Sequence, residues 1–218
     1  MMLLVLCLPI ISVADDSYPL EPPDLSSPRA TLNGFLTTGD RFYQQIRDDY
    51  WHAPSRAAVD RLDDFNARLE SMFDLSGLPP AARFELGRDA VVYLYEVLSR
   101  IELPPEADIP DAVAYADAGD EKEADKKLVS WTIPHTEIIL VRVAEGLRAG
   151  QFLFSSSTVD RAREFYNKTR TLPYRRDVPL KNYAEMRPYL SIRGWMISSR
   201  TVEGFADWLK RSVYQQAV

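Results

Sequence analysis

Apolar residues recur every three or four positions in three segments of the N-terminal half, and this spacing predicts three amphipathic helices. Ser27-Pro28 and Pro54-Ser55 precede the first two segments, and serine and proline are typical of helix N-termini. The three apolar faces are Leu32, Phe35, Leu36, Tyr43, Ile46 and Tyr50; Val59, Leu62, Phe65, Leu69 and Met72; and Phe84, Val91, Leu94, Tyr95, Leu98 and Ile101. Short loops between such helices favour a bundle. Gly34 and Gly39 weaken the first helix, which indicates close packing against a neighbour.

The pattern then changes from helical to extended. Residues 136–143 are rich in β-branched side chains, residues 151–154 form a second apolar run, and Gly146 and Gly150 bound the loop between them. Because a lone hairpin is marginally stable in water, we expect its apolar face to pack on helices or on a third strand, for which residues 130–133 are the candidate.

Ser157, followed by Asp160, predicts the start of the next helix. The predicted fold class is α+β and mostly helical, with an N-terminal helical bundle followed by a small antiparallel β-hairpin or meander with flanking helices. An amphipathic segment, carrying Val202, Phe205, Trp208, Leu209 and Val213, closes the chain.

The N-terminus is typical of a secretory signal peptide. An apolar run, too short to span a bilayer, is followed by Ser12 and Ala14 at the −3 and −1 positions of a cleavage site. Cys7, the single cysteine, lies in this run, so we expect no disulfide and no thiolate in the mature chain. The predicted organisation is a signal peptide at residues 1–14, an extended linker at 15–25, the helical bundle at 26–102, a charged linker or insertion at 103–129 and an α+β subdomain at 130–218.

Charge is unevenly distributed along the chain. The net charge of −6 argues against nucleic acid as a partner, because nucleic-acid binders present a basic surface. Residues 1–141 carry 25 acidic and 12 basic side chains, whereas residues 142–218 carry 7 acidic and 14 basic ones. Two interpretations remain open: solvated faces of opposite sign, or a C-terminal part that lies near anionic phosphate groups such as lipid headgroups.

Candidate catalytic groups are isolated in the sequence. His52 and His135 have no partner at metal-ligand spacing, and the serines at 155–157 lack the surroundings of a nucleophile and fit a helix cap. Glu137 is the one carboxylate in an apolar stretch, and an exposed position or an ion pair with an arginine is the favoured explanation. We therefore predict a non-enzymatic protein without a metal or cofactor.

Basic and aromatic residues alternate late in the chain. They are Arg175, Arg176, Lys181, Arg187 and Arg193, interleaved with Tyr174, Tyr183, Tyr189 and Trp195. Such a strip fits packing with charged ends in solvent, a headgroup-facing surface or a nucleic-acid strip, and the last ranks lowest in an acidic, secreted protein.

One long pattern runs through residues 131–174: W-x-I-P-x-T-E-I, then G-x-F-L-F-S-x-x-T-V, then F-Y and L-P-Y. The residues are Trp131, Ile133, Pro134, Thr136, Glu137 and Ile138; Gly150, Phe152, Leu153, Phe154, Ser155, Thr158 and Val159; and Phe165, Tyr166, Leu172, Pro173 and Tyr174. This pattern resembles the extracytoplasmic N-terminal region of some bacterial small-conductance mechanosensitive (MscS-like) channel proteins. Residues 26–32 with Phe35-Leu36 form a second similar patch. The chain departs from the family pattern at His135, where a glycine is expected, and in the charged segment 115–127.

The resemblance implies that the end of the chain lies close to a membrane. In the family, a Trp-Leu-basic element like Trp208-Leu209-Lys210-Arg211 precedes the first membrane helix, and Trp208 suits an interfacial anchor. The family's membrane span, pore helix and cytoplasmic cage are not in this sequence, so we expect a fragment of a longer protein or a truncated reading frame. The candidate membrane-proximal or interaction residues are Tyr174, Arg175, Arg176, Trp195, Trp208, Lys210 and Arg211.

The resemblance leads to the expectation of a non-catalytic domain at the periplasmic face of a bacterial inner membrane. Its role would be packing, assembly or modulation of tension sensitivity, with the membrane reached through missing C-terminal segments and a homo-oligomer formed through the channel portion. A free-standing periplasmic adaptor that binds a cell-wall or lipid component is the first alternative. A hydrolase that uses Glu137 or a pair of carboxylates ranks below both.

Overall fold

The computed structural model of the chain describes residues 22–53, 55–116 and 130–192. The predicted signal peptide, most of the predicted linker, residues 117–129 and the C-terminal segment from residue 193 lie outside the described residues.

Three long helices form the N-terminal bundle. They are α1 (Pro28–Gln45), which continues into a π-helical turn at Ile46–Tyr50, α2 (Arg56–Glu70) and α3 (Arg83–Leu98). The hydroxyl oxygens of Ser27 and Ser55 accept hydrogen bonds from the backbone N–H groups three residues later, at 3.1 and 3.2 Å. The predicted serine caps of the first two helices are therefore confirmed, because each satisfies a helix N–H that has no partner within the helix.

Two residues were wrongly assigned to the buried, apolar faces of their helices. Val59 is 37 % exposed and Phe84 is 69 % exposed. Both lie in the first turn of their helices. Ala58 faces the core in place of Val59, and the Arg88 guanidinium covers the Phe84 ring at 5.4 Å from its centroid.

The β-sheet has three antiparallel strands in the order β1 (Ser130–Thr132), β2 (Ile139–Arg142) and β3 (Phe152–Phe154). The predicted third strand and the hairpin are confirmed, and both loop glycines have a positive φ of 84–87°. Strand β2 is shorter than the strand predicted at residues 136–143. The Thr136 hydroxyl donates to the Ile133 carbonyl at 2.8 Å and closes a turn there, so the strand begins at Ile139.

Strand β3 joins the sheet to the bundle. On its outer edge, the N–H groups of Phe152 and Phe154 donate to the carbonyls of Leu25 and Met72, at 2.7 and 2.9 Å. The Thr31 hydroxyl of α1 donates to the Phe152 carbonyl at 2.8 Å. This edge of the sheet is therefore satisfied by the bundle and is closed to other strands.

Four shorter helices complete the described residues. They are α4 (Ala112–Ala116), which follows a 3₁₀ turn at Glu106–Asp108, α5 (Ser156–Asp160), α6 (Ala162–Thr169) and α7 (Tyr183–Ile192). The cap of α5 is Ser155, whose hydroxyl accepts from the Thr158 N–H at 3.2 Å, so the predicted cap at Ser157 is wrong. Ser155 has extended backbone angles directly after β3, whereas Ser157 is already helical. The serine run does serve as a helix cap, and the α+β, mostly helical fold class is confirmed.

The bundle and the sheet share one hydrophobic core. Phe35 of α1, Phe73 of the α2–α3 loop and Phe154 of β3 meet in it, with ring centroids 5.1–5.8 Å apart. On the other side of α3, the ring of Tyr93 stacks on Tyr166 of α6 at 5.1 Å. Residues on both sides of the predicted linker thus pack together. Among the described residues, no helix combines the length and the apolar character that a membrane crossing requires.

We predict that Gly39→Ala destabilises the protein. A Cβ atom at Gly39 would overlap the buried ring of Tyr95, and the backbone of α1 cannot move away without disturbing the core. The overlap outweighs the gain in helix propensity, so a net loss of about 1–2 kcal/mol is expected in urea unfolding.

Gly34→Ala is the matched control in the same helix. A Cβ atom there meets only Met72 Cε at an ordinary 3.7 Å, so this variant should be as stable as the parent or more stable. Equal stability of the two variants would contradict the close contact between α1 and α3.

Candidate functional site

A buried ion pair lies at the C-terminal end of α3. The side chains of Glu96 and Arg100, one helical turn apart, are 0 % and 1 % exposed, and Arg100 Nη1 donates to Glu96 Oε2. Two charges in an apolar interior are tolerated only when their remaining hydrogen-bonding capacity is also satisfied. The residues that do this come from three other parts of the chain. We call the set the Glu96–Arg100 cluster: Glu96, Arg100, Tyr43, Tyr174, Asn182 and Tyr183.

The Glu96 carboxylate accepts four hydrogen bonds. The Tyr43 hydroxyl and the Tyr183 backbone N–H donate to Oε1 at 3.4 and 3.0 Å. The Tyr174 hydroxyl donates to Oε2 at 2.6 Å, beside Arg100. Because Tyr183 is the first residue of α7, the carboxylate also places its negative charge at the positive end of that helix. Glu96 therefore caps α7 from another helix.

The Arg100 guanidinium contacts Tyr174 and Asn182. Its Nη2 donates to the Tyr174 hydroxyl at 2.7 Å and to Asn182 Oδ1 at 2.8 Å, and its Cζ lies 3.9 Å from the centroid of the Tyr174 ring. The Asn182 N–H donates to the same tyrosine hydroxyl at 2.6 Å. The Tyr174 hydroxyl thus contacts both charged groups and the start of α7.

Two features of the cluster are unfavourable. Arg100 Nε is buried and has no hydrogen-bond partner among the described residues. Asn182 has a backbone φ of 57°, in the left-handed region that non-glycine residues rarely adopt. Each costs free energy in the folded chain, and the contacts around Tyr174 have to offset both.

A second charged group lies beside Tyr95, the residue that precedes Glu96 in α3. Arg176 Nη2 and the Tyr95 hydroxyl both donate to the Asp40 carboxylate. The Arg176 guanidinium also lies 5.6 Å from the Tyr95 ring centroid. The Arg175 N–H donates to the Ser99 carbonyl at 2.9 Å, whereas its side chain points into solvent.

The structure divides the predicted interaction residues into three groups. Tyr174 and Arg176 make the intramolecular contacts described above, as the packing alternative for the aromatic and basic strip expected. Arg175 is exposed. Trp195, Trp208, Lys210 and Arg211 lie outside the described residues.

Sequence reasoning missed Glu96, Arg100, Asn182 and Asp40. A Glu and an Arg four residues apart are typical of a solvent-facing ion pair, so their spacing alone did not indicate that the pair is buried. One signal was present: α3 is apolar on all sides from Val91 to Leu98, which is typical of a fully buried helix. The single carboxylate within that run had to be paired.

The other titratable candidates lie on the surface. Glu137 is in the β1–β2 turn and pairs with Arg161, whose hydrogen bond lowers the pKa of Glu137, so this carboxyl is ionised at neutral pH. The expected arginine ion pair is therefore confirmed. His52 and His135 are exposed and lie in turns. The described part of the chain contains no group of three or more His, Cys, Asp or Glu residues that could hold a metal ion.

An open groove of about 560 Å³ lies between the α2–α3 loop and the β2–β3 loop. Its floor is apolar, with Phe73 and Leu153, and carboxylates line its rim. It contains none of the predicted site residues, and the Glu96–Arg100 cluster lies elsewhere.

Comparisons with protein-family models, with curated proteins and with solved structures found no significant match to this chain.

The buried tyrosines predict a loss of stability at alkaline pH. Burial, helped by the Glu96 charge, raises the pKa of Tyr43 and Tyr174, and burial raises the pKa of Tyr183 to about 12. The unfolded chain releases these protons near pH 10, so the stabilisation is complete below about pH 10 and is lost as the pH rises towards the folded-state values.

We expect the urea midpoint to fall steadily above about pH 10. In a spectrophotometric titration, tyrosinate absorbance from these residues should appear together with unfolding measured by circular dichroism. Complete titration of all tyrosines while the fold persists would contradict this assignment.

Proposed function

We propose that this chain is a non-catalytic, periplasm-exposed N-terminal domain of an MscS-like mechanosensitive channel. The domain acts by contact, through packing, assembly or modulation of tension sensitivity, and the pore belongs to segments outside this sequence. The partner is the membrane, reached through those segments, and a second copy of the protein through the channel portion. The location is the periplasmic face of a bacterial inner membrane.

One observation carries the proposal: the two patches that resemble the family pack against each other. The first patch contributes Thr31 and Phe35, and the second contributes Phe152 and Phe154. The Thr31 hydroxyl bonds the Phe152 carbonyl at 2.8 Å, and the rings of Phe35 and Phe154 are 5.1 Å apart. Patches that lie more than 90 positions apart therefore form one structural unit, which is what a shared domain predicts.

The departure at His135 gives independent support. The family pattern has a glycine there, and the backbone φ of His135 is 60°, in the region that glycine adopts without steric cost. The local backbone thus fits the family's residue better than its own.

Many residues of the pattern hold turns and junctions. The Thr136 oxygen accepts from the Ile138 N–H at 3.1 Å, and the Thr158 oxygen accepts from the Ile139 N–H at 2.9 Å. Ser155 caps α5, and Tyr174 joins the Glu96–Arg100 cluster. Side chains used in this way support a role that depends on shape and contact.

A free-standing periplasmic adaptor is the second candidate, and a specific observation favours it. Four cations, one on α6 and three between α6 and α7, are exposed and have no carboxylate partner among the described residues. They are Arg163, Arg170, Arg175 and Lys181. Exposed cations of this kind suit an anionic headgroup or cell-wall polymer.

The encoding reading frame beyond Val218 separates the two candidates. The channel proposal expects several apolar runs of about 20 residues. In membrane patches that contain the full-length protein, deletion of residues 22–192 should shift the tension at which the channel opens and leave the single-channel conductance unchanged. A stop codon directly after Val218 would replace the channel proposal with the adaptor.

Export provides the control for both candidates. A reporter fused after Val218 should be active only outside the cytosol, and mass spectrometry should find Asp15 as the first residue. An uncleaved chain in the cytosol would contradict both.

We also predict that His135→Gly does not destabilise the chain. Relief of the left-handed backbone offsets the entropy of an added glycine, so the urea midpoint should be unchanged or raised, by up to about 1 kcal/mol of unfolding free energy. His135→Ala, which keeps the unfavourable backbone, is the control and should not gain. A clear loss for His135→Gly alone would remove the support drawn from this position.

A further inference from the structure

We propose that the Glu96–Arg100 cluster is a latch that holds α7 on the bundle, and that α7 can separate from the bundle as a unit while the rest of the core stays folded. The release itself is a property of this chain. Its use, to control how the C-terminal segment is held near a membrane, rests on the proposed function.

The first argument is the way α7 is attached. Besides the hydrogen bonds of the cluster, its described contacts include the edge of the Tyr183 ring on Phe42 and Tyr43, at 6.2 and 5.1 Å, the packing of Ala184 against the core, and an ion pair of 2.7 Å between Arg187 and Asp89. That ion pair is about one-third exposed on both sides, and pairs of this kind contribute little.

The sheet is attached in a different way. All three residues of β3 are buried, two of their N–H groups bond to the bundle, and the Phe154 ring packs between Phe35 and Phe73. Separation of the sheet exposes large apolar side chains to water. Among the described side chains, separation of α7 exposes the Tyr183 ring and Ala184 together with the polar and charged groups of the cluster, and these charged groups regain their hydration.

The second argument is that the closed latch contains costs that opening removes. The unpartnered Arg100 Nε can bind water only when the cluster opens. Asn182 can leave the left-handed region only when its contacts to Tyr174 and Arg100 are broken. Both effects bring the open state closer in free energy to the closed state, as in other regions that open locally.

The third argument is the position of Tyr174. Its hydroxyl donates to Glu96 and accepts from Arg100 and from the Asn182 N–H, so one atom links both charges to the start of α7. Removal of this oxygen breaks the hydrogen bonds to Glu96, Arg100 and the Asn182 N–H and leaves the apolar core of the bundle untouched.

Hydrogen exchange of the 218-residue chain, followed by mass spectrometry, tests the proposal in the Tyr174→Phe variant. We expect amide exchange over residues 182–187 to become about tenfold faster or more, as the loss of charge-assisted hydrogen bonds predicts. Exchange in β2 and β3 should change less than about twofold, because these strands do not open with α7.

Tyr166→Phe is the matched control. Tyr166 is a buried tyrosine on α6 whose hydroxyl has no hydrogen-bond partner among the described residues, so its removal should leave exchange over residues 182–187 as in the parent. If this variant accelerates α7 as much as Tyr174→Phe does, the latch assignment is wrong.

Asn182→Ala is the second variant and keeps the proposal testable if the Tyr174→Phe chain does not fold. Alanine removes the acceptor of Arg100 and does not relieve the left-handed backbone, so faster exchange confined to residues 182–187 is again expected. Equal acceleration of α7 and the sheet, or no acceleration of either, overturns the latch.

These results do not depend on where the protein resides. If α7 is released and the chain proves to be cytosolic, the latch proposal stands and the channel proposal is wrong. If α7 stays fixed and the chain is exported, the channel proposal stands and the latch proposal is wrong.

Discussion

The buried charge of Glu96 is the constraint on which the attachment of the chain from Tyr174 to α7 depends. This carboxylate lies near the C-terminal end of α3, in a buried and mostly apolar stretch, and Arg100, just beyond the helix, supplies one of its four donors. The segment after α6 returns across the end of α3, where Tyr174 and the start of α7 provide two of the remaining donors. The same segment is also held by Arg176 on Asp40 and by the buried Val178.

Two kinds of attachment coexist in this fold. The sheet is fixed to the bundle by buried aromatic rings and by backbone hydrogen bonds of β3, and its separation exposes large apolar side chains to water. Helix α7 is fixed through the Glu96–Arg100 cluster, where hydration of the separated charges offsets much of what is lost. The bundle and the sheet thus form one rigid body, and α7 is attached to it more weakly. This arrangement suits a domain that works through contact with neighbouring segments of a larger protein.

The functional proposal depends on the same geometry. The residues that resemble the channel family are used as turn closures, caps and core contacts, and the two separate patches meet at Thr31 and Phe152. Arg163, Arg170, Arg175 and Lys181 remain on the surface, available for an anionic partner. A domain of this kind can couple a folded body to a membrane or to an anionic polymer, and the reading frame beyond Val218 decides between them.

Local patterns in the sequence determined the parts of the fold that depend on near neighbours. Serine before an apolar period predicted where α1 and α2 begin, and glycine at 146 and 150 predicted the hairpin loop. Gly34 and Gly39 predicted close packing against a neighbour, and Gly39 makes such a contact with Tyr95. The tertiary structure alone decided which of the charged and aromatic residues face inwards. Glu96 and Arg100 have the spacing of a surface pair, and Tyr174 and Arg176 have the pattern of an exposed strip. Their burial follows from contacts between residues up to 136 positions apart, such as Arg176 with Asp40, and no local period records such contacts.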